Sequence, residues 1–213
     1  MIIYNPLDGY TLQHRVKSKP KHCFLMTRLG NPVPPIVEEI RVSVQACCDP
    51  FDYTVIDARA KVTGRDLLLK IWQLIASTPL SVGILHEEIS RITQANIIYE
   101  LGVAQALGKE TVLIKSLHAD NPSDLSRTEY VTFDDDFTKN FTDYLITIHE
   151  QAESYELMAD QLEKDPILSL DYLKRAFLIN GDIRLRKKAS DIVASAKLEE
   201  RAANSVEMVA ASF

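Results

Sequence analysis

Glu100 is the lone charged residue between Ile97 and Ala104, inside a stretch, Asn96 to Lys109, that reads NIIYELGVAQALGK. Apolar residues on nearly every side predict a helix from Asn96 to Leu107 that is buried on most faces and closed by Gly108 at its C′ position. A carboxylate on such a helix must be paired, hydrogen-bonded or turned toward a cavity, because unpaired burial is costly. Paired with Arg28, Arg59 or Arg65 it only holds the helix in place. Facing a cavity, it is a nucleophile or a stabiliser of positive charge. The pattern puts Glu100 within about a turn of the helix start, where the dipole favours the ionised form by up to ~1 kcal/mol. Burial opposes the dipole, so the direction of any pKa shift stays open. Tyr99 reads either as a ring that stacks on a base or bonds a sugar hydroxyl, or as core with a wet tip. Gly102 costs ~1 kcal/mol relative to alanine in mid-helix, for which close packing on a strand is one reason and room for a ligand another.

The surrounding elements alternate. His22–Met26 (HCFLM), Tyr53–Ile56 (YTVI), Leu80–Leu85 (LSVGIL), Thr111–Ile114 (TVLI) and Tyr130–Phe133 are short apolar runs without helical period, and read as buried strands. Between and after them, Ile36–Cys47, Leu67–Ser77, Asn96–Leu107 and Phe137–His149 carry helical spacing. Thr63-Gly64-Arg65-Asp66 resembles a capping box opening the second helix. Strands alternating with such helices predict an α/β fold: a flavodoxin-like (Rossmann-like) five-stranded parallel sheet with helices on both faces. Residues 1–21 read as an N-terminal arm, 22–150 as the sheet domain, and 151–213 as a C-terminal α-helical extension. The extension carries helical spacing over 152–163, 167–178 and 183–200, and Leu170–Leu178 resembles one helix of a tetratricopeptide hairpin. One and a half such units bury no core alone, so a cap on the sheet domain or a pairing of protomers is expected, with a tail that frays after Ala202.

In parallel sheets ligands sit outside the carboxyl ends of the strands, where strand order reverses. That nominates Thr27-Arg28, Asp57-Ala58-Arg59, His86-Glu87-Glu88 and the start of the helix at Asn96. Asp57 stands where a ribose-binding carboxylate would follow a second strand, or caps the turn after it. His86 reads as a surface loop residue, or as a general acid.

The chain has 213 residues and a formal net charge of −6. No basic run offers a counterion-displacing surface, so a long nucleic acid is a poor partner, whereas one small phosphorylated ligand needs only a local site. Cys23, Cys47 and Cys48 form no disulfide framework, and Cys23 reads as a small buried hydrophobe. No His or Cys spacing suits zinc. No apolar run suits a signal peptide or a membrane span, so a soluble, cytoplasmic protein is expected.

The stretch NIIYELGVAQALGK resembles the motif N-x-[VI]-x-Y-E-L-G-x-A-x-A-L-G-K of nucleoside 2-deoxyribosyltransferase-like proteins and their TIR-like, nucleotide-binding relatives. His22 to Arg28 (HCFLMTR) is similar to the family's opening strand and its Met-Pro-Phe-like turn. Leu69–Ile75 is similar to its helix before the third strand. The likeness covers roughly 22–150. It implies that Glu100 attacks, or stabilises, the anomeric carbon of a nucleoside, nucleotide or NAD. It further implies that Met26, Thr27, Arg28, Asp57, Arg59, His86, Asn96 and Tyr99 line the ligand, with Arg28 or Arg59 on phosphate and Asn96 and Tyr99 on the sugar. N-glycosidic cleavage builds an oxocarbenium-like sugar that an adjacent carboxylate can trap. No cofactor is implied beyond NAD as a substrate, and a homodimer or higher homo-oligomer is expected. The chain departs from the family at Met26-Thr27-Arg28 and at Leu85 to Ile89, where Ala-Asp-Leu-Thr is usual and Glu87 or Glu88 would stand in for the acid. A module that senses a nucleotide without turnover, and a platform working through the C-terminal helices, are the alternatives.

Overall fold

A computed structural model describes residues 16–30, 32–59, 67–119, 129–162 and 164–195, with Ala210 and Phe213. Five parallel strands form one sheet in the order β2-β1-β3-β4-β5. They are β1 (His22–Met26), β2 (Thr54–Ile56), β3 (Leu80–Leu85), β4 (Glu110–Lys115) and β5 (Tyr130–Thr132). The helices are α1 (Pro35–Cys48), α2 (Leu67–Ser77), α3 (Arg91–Ala106), α4 (Phe137–Gln161), α5 (Pro166–Asn180) and α6 (Ile183–Ser195). This strand order is the flavodoxin-like one, with its reversal between β1 and β3. The expected Thr63–Asp66 capping box lies outside the described residues, as does Arg65.

The period-2 alternation of the strands divides the interior in two. Cys23, Leu25, Val82, Ile84, Val112 and Ile114 face α1 and α4, where Val37, Ile40, Val44, Phe141 and Leu145 complete one core. Phe24, Met26, Leu85 and Leu113 face α2 and α3 and pack on Ile71, Leu74, Ile75, Ile97, Leu101 and Ala104. All three cysteines are buried and free. At the exposed edge of the sheet, the Gln45 side chain accepts from Val55 N at 3.0 Å and donates to Tyr53 O at 3.3 Å, so an amide occupies backbone groups a further strand would use.

The glycine on which helix packs against strand is Gly83, not Gly102. A Cβ on Gly83 would stand 3.0 Å from Ile97 Cγ2 and 3.1 Å from Leu113 Cδ2, whereas one on Gly102 would meet no atom within 4 Å. Gly83→Ala is therefore expected to destabilise the fold by about 1–3 kcal/mol, seen as a lower urea midpoint at unchanged slope. An unchanged midpoint would mean that α3 shifts freely on β3.

The helix expected to end at His149 runs on to Gln161 as one 25-residue element. It continues because its later turns have their own core to cover: Ala159 of α4 packs with Leu170, Leu173 and Phe177 of α5 and with Leu185 and Ala189 of α6. The described helical spacing of the last element ends at Ser195, and Phe213, in the tail expected to fray, sets its ring 5.8 Å from that of Phe177.

The extension docks on the amino ends of the strands. Lys21 N donates to Leu178 O at 2.8 Å, and the buried Tyr53 hydroxyl donates to Ile179 O at 2.9 Å. Of the N-terminal arm, the described part is also tied down, with Lys19 N donating to Ser77 O at 2.8 Å. Tyr53→Phe leaves the Ile179 carbonyl without that donor and is expected to cost about 1–2 kcal/mol. Thermal unfolding followed by circular dichroism would check it; an unshifted midpoint would show that the contact carries no docking energy.

Candidate functional site

Helix α3 begins five residues earlier than its apolar pattern suggests. The Ser90 hydroxyl accepts from Thr93 N at 3.3 Å and caps it, and Arg91 is the first helical residue. Glu100 is thus nine residues beyond Arg91, on the order of 13 Å along the axis at 1.5 Å per residue. That is outside the first turn, so the dipole gives its carboxylate no support. The helix is also not buried all round. Ile97, Leu101 and Ala104 face the sheet, while Ile92 (77% exposed), Tyr99 (51%), Asn96 and Gly102 lie outward. Small side chains at Ala95, Gly102 and Ala106 let an apolar sequence sit at the surface without a large greasy face.

Glu100 lies between these faces. Its neighbours one turn away are buried Ile97 and Ala104 on one side, Asn96 and Val103 on the other. Helical side chains lean toward the helix N-terminus, so the carboxyl tilts back toward the carboxyl edge of the sheet. Among the described residues it has no hydrogen-bond or ion-pair partner. Burial, unopposed by any partner, pushes its pKa up to about 7. Of the three arginines named as partners for it, Arg65 lies outside the described residues, Arg28 makes no described ion pair, and Arg59 is engaged elsewhere. Arg59 Nε lies 2.8 Å from Asp57 Oδ2, and Arg59 Nη1 lies 3.1 Å from Glu38 Oε2.

Asp57 and Arg59 belong to a four-member network at the end of β2. Asp57, its side chain 8% exposed, also accepts from Arg59 N at 2.9 Å, the turn-capping bond its sequence position allows. Arg41 Nη1 donates to Glu38 Oε1 at 2.9 Å, and Arg41 Nε stands 3.4 Å from Asp57 Oδ2. Hydrogen bonds from Arg59, then Arg41, hold the Glu38 carboxyl below its usual range. Arg41 and Glu38 were absent from the sequence reading. Their (i, i+3) spacing on a helix was the available signal.

His86, expected at the surface, is 8% exposed. It is buried because the turn after β3 folds over it. Ile89 N and Gln94 Nε2 each bond its carbonyl at 2.9 Å, and Glu88 N donates to its Nδ1 at 3.2 Å. A ring that accepts at Nδ1 carries its neutral-form proton on Nε2. Beside it, Glu87 accepts from the Ser116 hydroxyl at the end of β4, and that bond pulls the Glu87 pKa down. Glu88 is exposed.

At the end of β1, Met26 is 1% exposed and packs in the α2–α3 core. Thr27 is 6% exposed, and its Oγ1 is buried with no hydrogen-bond partner. Trp72 Nε1 on α2 is likewise buried and unpartnered, a feature not anticipated from the sequence. Arg28 is half-buried and, among the described residues, without an ion-pair partner. The fold therefore gathers Thr27, Arg28, Asp57, Arg59 and His86 at the carboxyl edge. Asn96 and Tyr99 lie on the outer side of α3. Among the described residues, no group of three or more His, Cys, Asp or Glu side chains could hold a metal ion, and no helix is long and apolar enough to cross a membrane.

No protein-family model matches the chain, and no curated protein matches it. Among solved structures, it is similar to a 2-deoxyribosyltransferase from the psychrotolerant bacterium Bacillus psychrosaccharolyticus. The likeness covers 58% of this chain and 91% of that one, at 16% identity and a TM-score of 0.42. That score supports no residue-by-residue correspondence, and the flavodoxin-like assignment stands on strand order and direction.

Proposed function

We propose that the chain binds a nucleoside or nucleotide at the carboxyl edge of its sheet and cleaves or transfers it at the N-glycosidic bond. The observation that carries this reading is Glu100: a carboxyl group with no described partner, kept on the flank of a helix at a cost in stability. In its ionised form it would attack C1′, or shield the oxocarbenium ion there, while the C1′–N bond electrons leave with the base. The His86 Nε2–H would hydrogen-bond the departing nitrogen, and water would supply the proton that the base takes. Water, or a second base, would then take the sugar. NAD enters as a possible substrate through its own N-glycosidic bond.

The direct experiment incubates the full chain with a panel of nucleosides, nucleotides and NAD and measures free base. Release by the wild type, lost in Glu100→Gln, is expected. No release at high protein concentration, or equal release by the variant, overturns the reading. The position of Glu100 well along α3 favours a second reading, a sensor that binds nucleotide without turnover. Ligand-induced thermal stabilisation with no product would identify it.

A further inference from the structure

One side chain joins the turn after β3 to the helix that follows it. Gln94, half-buried in the first turn of α3, donates from Nε2 to His86 O and to Ile89 O, each at 2.9 Å. These carbonyls stand at the two ends of the turn, which Ile89 N already closes by its own bond to His86 O at 2.9 Å. The amide is therefore not needed to close the turn. What it adds is a fixed relation between the turn and α3. The turn has two other anchors: Ile89, 2% exposed, sits in the core on the α1 and α4 side, and Glu87 accepts from the Ser116 hydroxyl beyond β4. Neither of them reaches α3.

The groups assigned to the chemistry lie on either side of this tie. His86 is in the turn. Glu100 is on α3, six residues beyond Gln94, on the order of 9 Å along the axis at 1.5 Å per residue. Within the turn, Glu88 N donates to His86 Nδ1 at 3.2 Å, so the direction of the ring and of its Nε2–H follows the backbone of the turn. A turn that swings against α3 carries the Nε2–H with it. A misplacement of about 1 Å in a reacting geometry costs on the order of 10²-fold in rate.

We propose that Gln94 is a positioning residue: by bonding both carbonyls of the turn it holds His86 in one orientation on the helix that carries Glu100. It touches neither the base nor the sugar and acts only through His86. This rests on the glycosidic reading above and deepens it, because the donor to the departing base then keeps a fixed place from one turnover to the next.

Gln94→Met keeps the length of the side chain and removes both donors; Gln94→Asn keeps the amide but falls one methylene short, and serves equally if the methionine variant does not fold. Nitrogen NMR of the full chain with labelled histidine, at pH 8 where an ordinary imidazole is neutral, should show the wild-type His86 ring as one tautomer, its Nδ1 and Nε2 resonances far apart. In either Gln94 variant the two should move toward each other, as in a ring that exchanges tautomers freely. Base release is followed on the same samples. Gln94→Met should lower kcat about 10- to 100-fold with a much smaller change in KM. Combined with His86→Asn it should be no slower than His86→Asn alone, since a residue that acts through His86 then has nothing to act on. Ring resonances that ignore both Gln94 variants, or a double variant slowed by the product of the two single effects, overturn the positioning role. Shifted ring resonances with no base released from any compound, by the wild type included, overturn the glycosidic reading and leave Gln94 as the residue that orients His86.

Discussion

Glu100→Gln is expected to reduce base release by at least about 10³-fold, the scale on which loss of a nucleophile or its equivalent is felt, and to make the protein more stable at pH 8. The two effects have one cause. The unfolded chain ionises Glu100 at its ordinary pKa near 4.5, and the folded chain at about 7. Below pH 4.5 the group is protonated in both states and costs nothing. As pH rises from 4.5 to 7 the unfolded state gains by ionising first, and above 7 the penalty is complete. One pKa unit corresponds to about 1.4 kcal/mol. Discounted for the part of Glu100 that solvent still screens, the penalty is about 2 kcal/mol at pH 8.

Glutamine keeps the shape and removes the charge, so the variant should gain that amount at pH 8 and little at pH 4.5, read from urea unfolding at both values. Activity should follow the ionised fraction. In the wild type, kcat/KM should rise about tenfold per unit below pH 7 and level off above it. A variant that is inactive but no more stable at pH 8 would place Glu100 in a salt-bridged structural role. A flat pH profile would remove it from the chemistry.

The second large effect sits at the opposite edge of the sheet. Lys109 is half-buried where α3 turns into β4, its Nζ donating to Ala76 O at the end of α2 at 2.9 Å. Burial, then the nearby charges of Lys174 and Arg175 on α5, push its pKa down to about 7, with Asp171 a partial counterweight. Lys174 is itself pushed down to about 8, chiefly by burial. A lysine lowered in this way costs stability whenever the unfolded chain holds a proton that the folded chain resists. The cost is full below pH 7, shrinks between 7 and the ordinary value of 10.5, and is absent above it.

Stability is therefore expected to rise by about 2–3 kcal/mol between pH 7 and pH 9, when many proteins gain nothing. Lys109→Met keeps the length of the chain and forfeits one hydrogen bond. It should raise stability at pH 7 by up to about 3 kcal/mol and flatten the slope. Chemical unfolding at both pH values checks this, and a methionine variant less stable than the wild type at pH 7 would show that the bond to Ala76 outweighs the relief of charge.

The strands were legible because burial on both faces leaves continuous apolar runs, as in Leu80–Leu85, and a strand such as this needs no partner to be recognised. Helix α2 was legible from its spacing together with the capping-box pattern before it, with bounds at Leu67 and Ser77. The start of α3 was not, because its first turn, Arg91 to Gln94, is polar and signals itself only through the Ser90 cap. That hidden turn moved Glu100 out of reach of the helix dipole and changed its electrostatics from balanced to one-sided. His86 was misplaced for a related reason: its burial comes from Ile89 and Gln94 folding back onto it, a tertiary event with no local pattern. The ion network of Arg59 with Glu38 joins residues far apart in the chain, and only the fold chooses between those partners and Glu100.

Helix α4 passes from the sheet layer into the three-helix layer without a break at position 150. A seam that looks natural in the primary structure is thus the middle of a continuous rod. Cutting there would strip Ile179 and Leu178 from Tyr53 and Lys21 and leave the rod's inner stripe bare. The two layers should melt in a single cooperative transition, and recombination with other proteins would be tolerated at the loops beyond the strand tips more readily than at this midpoint.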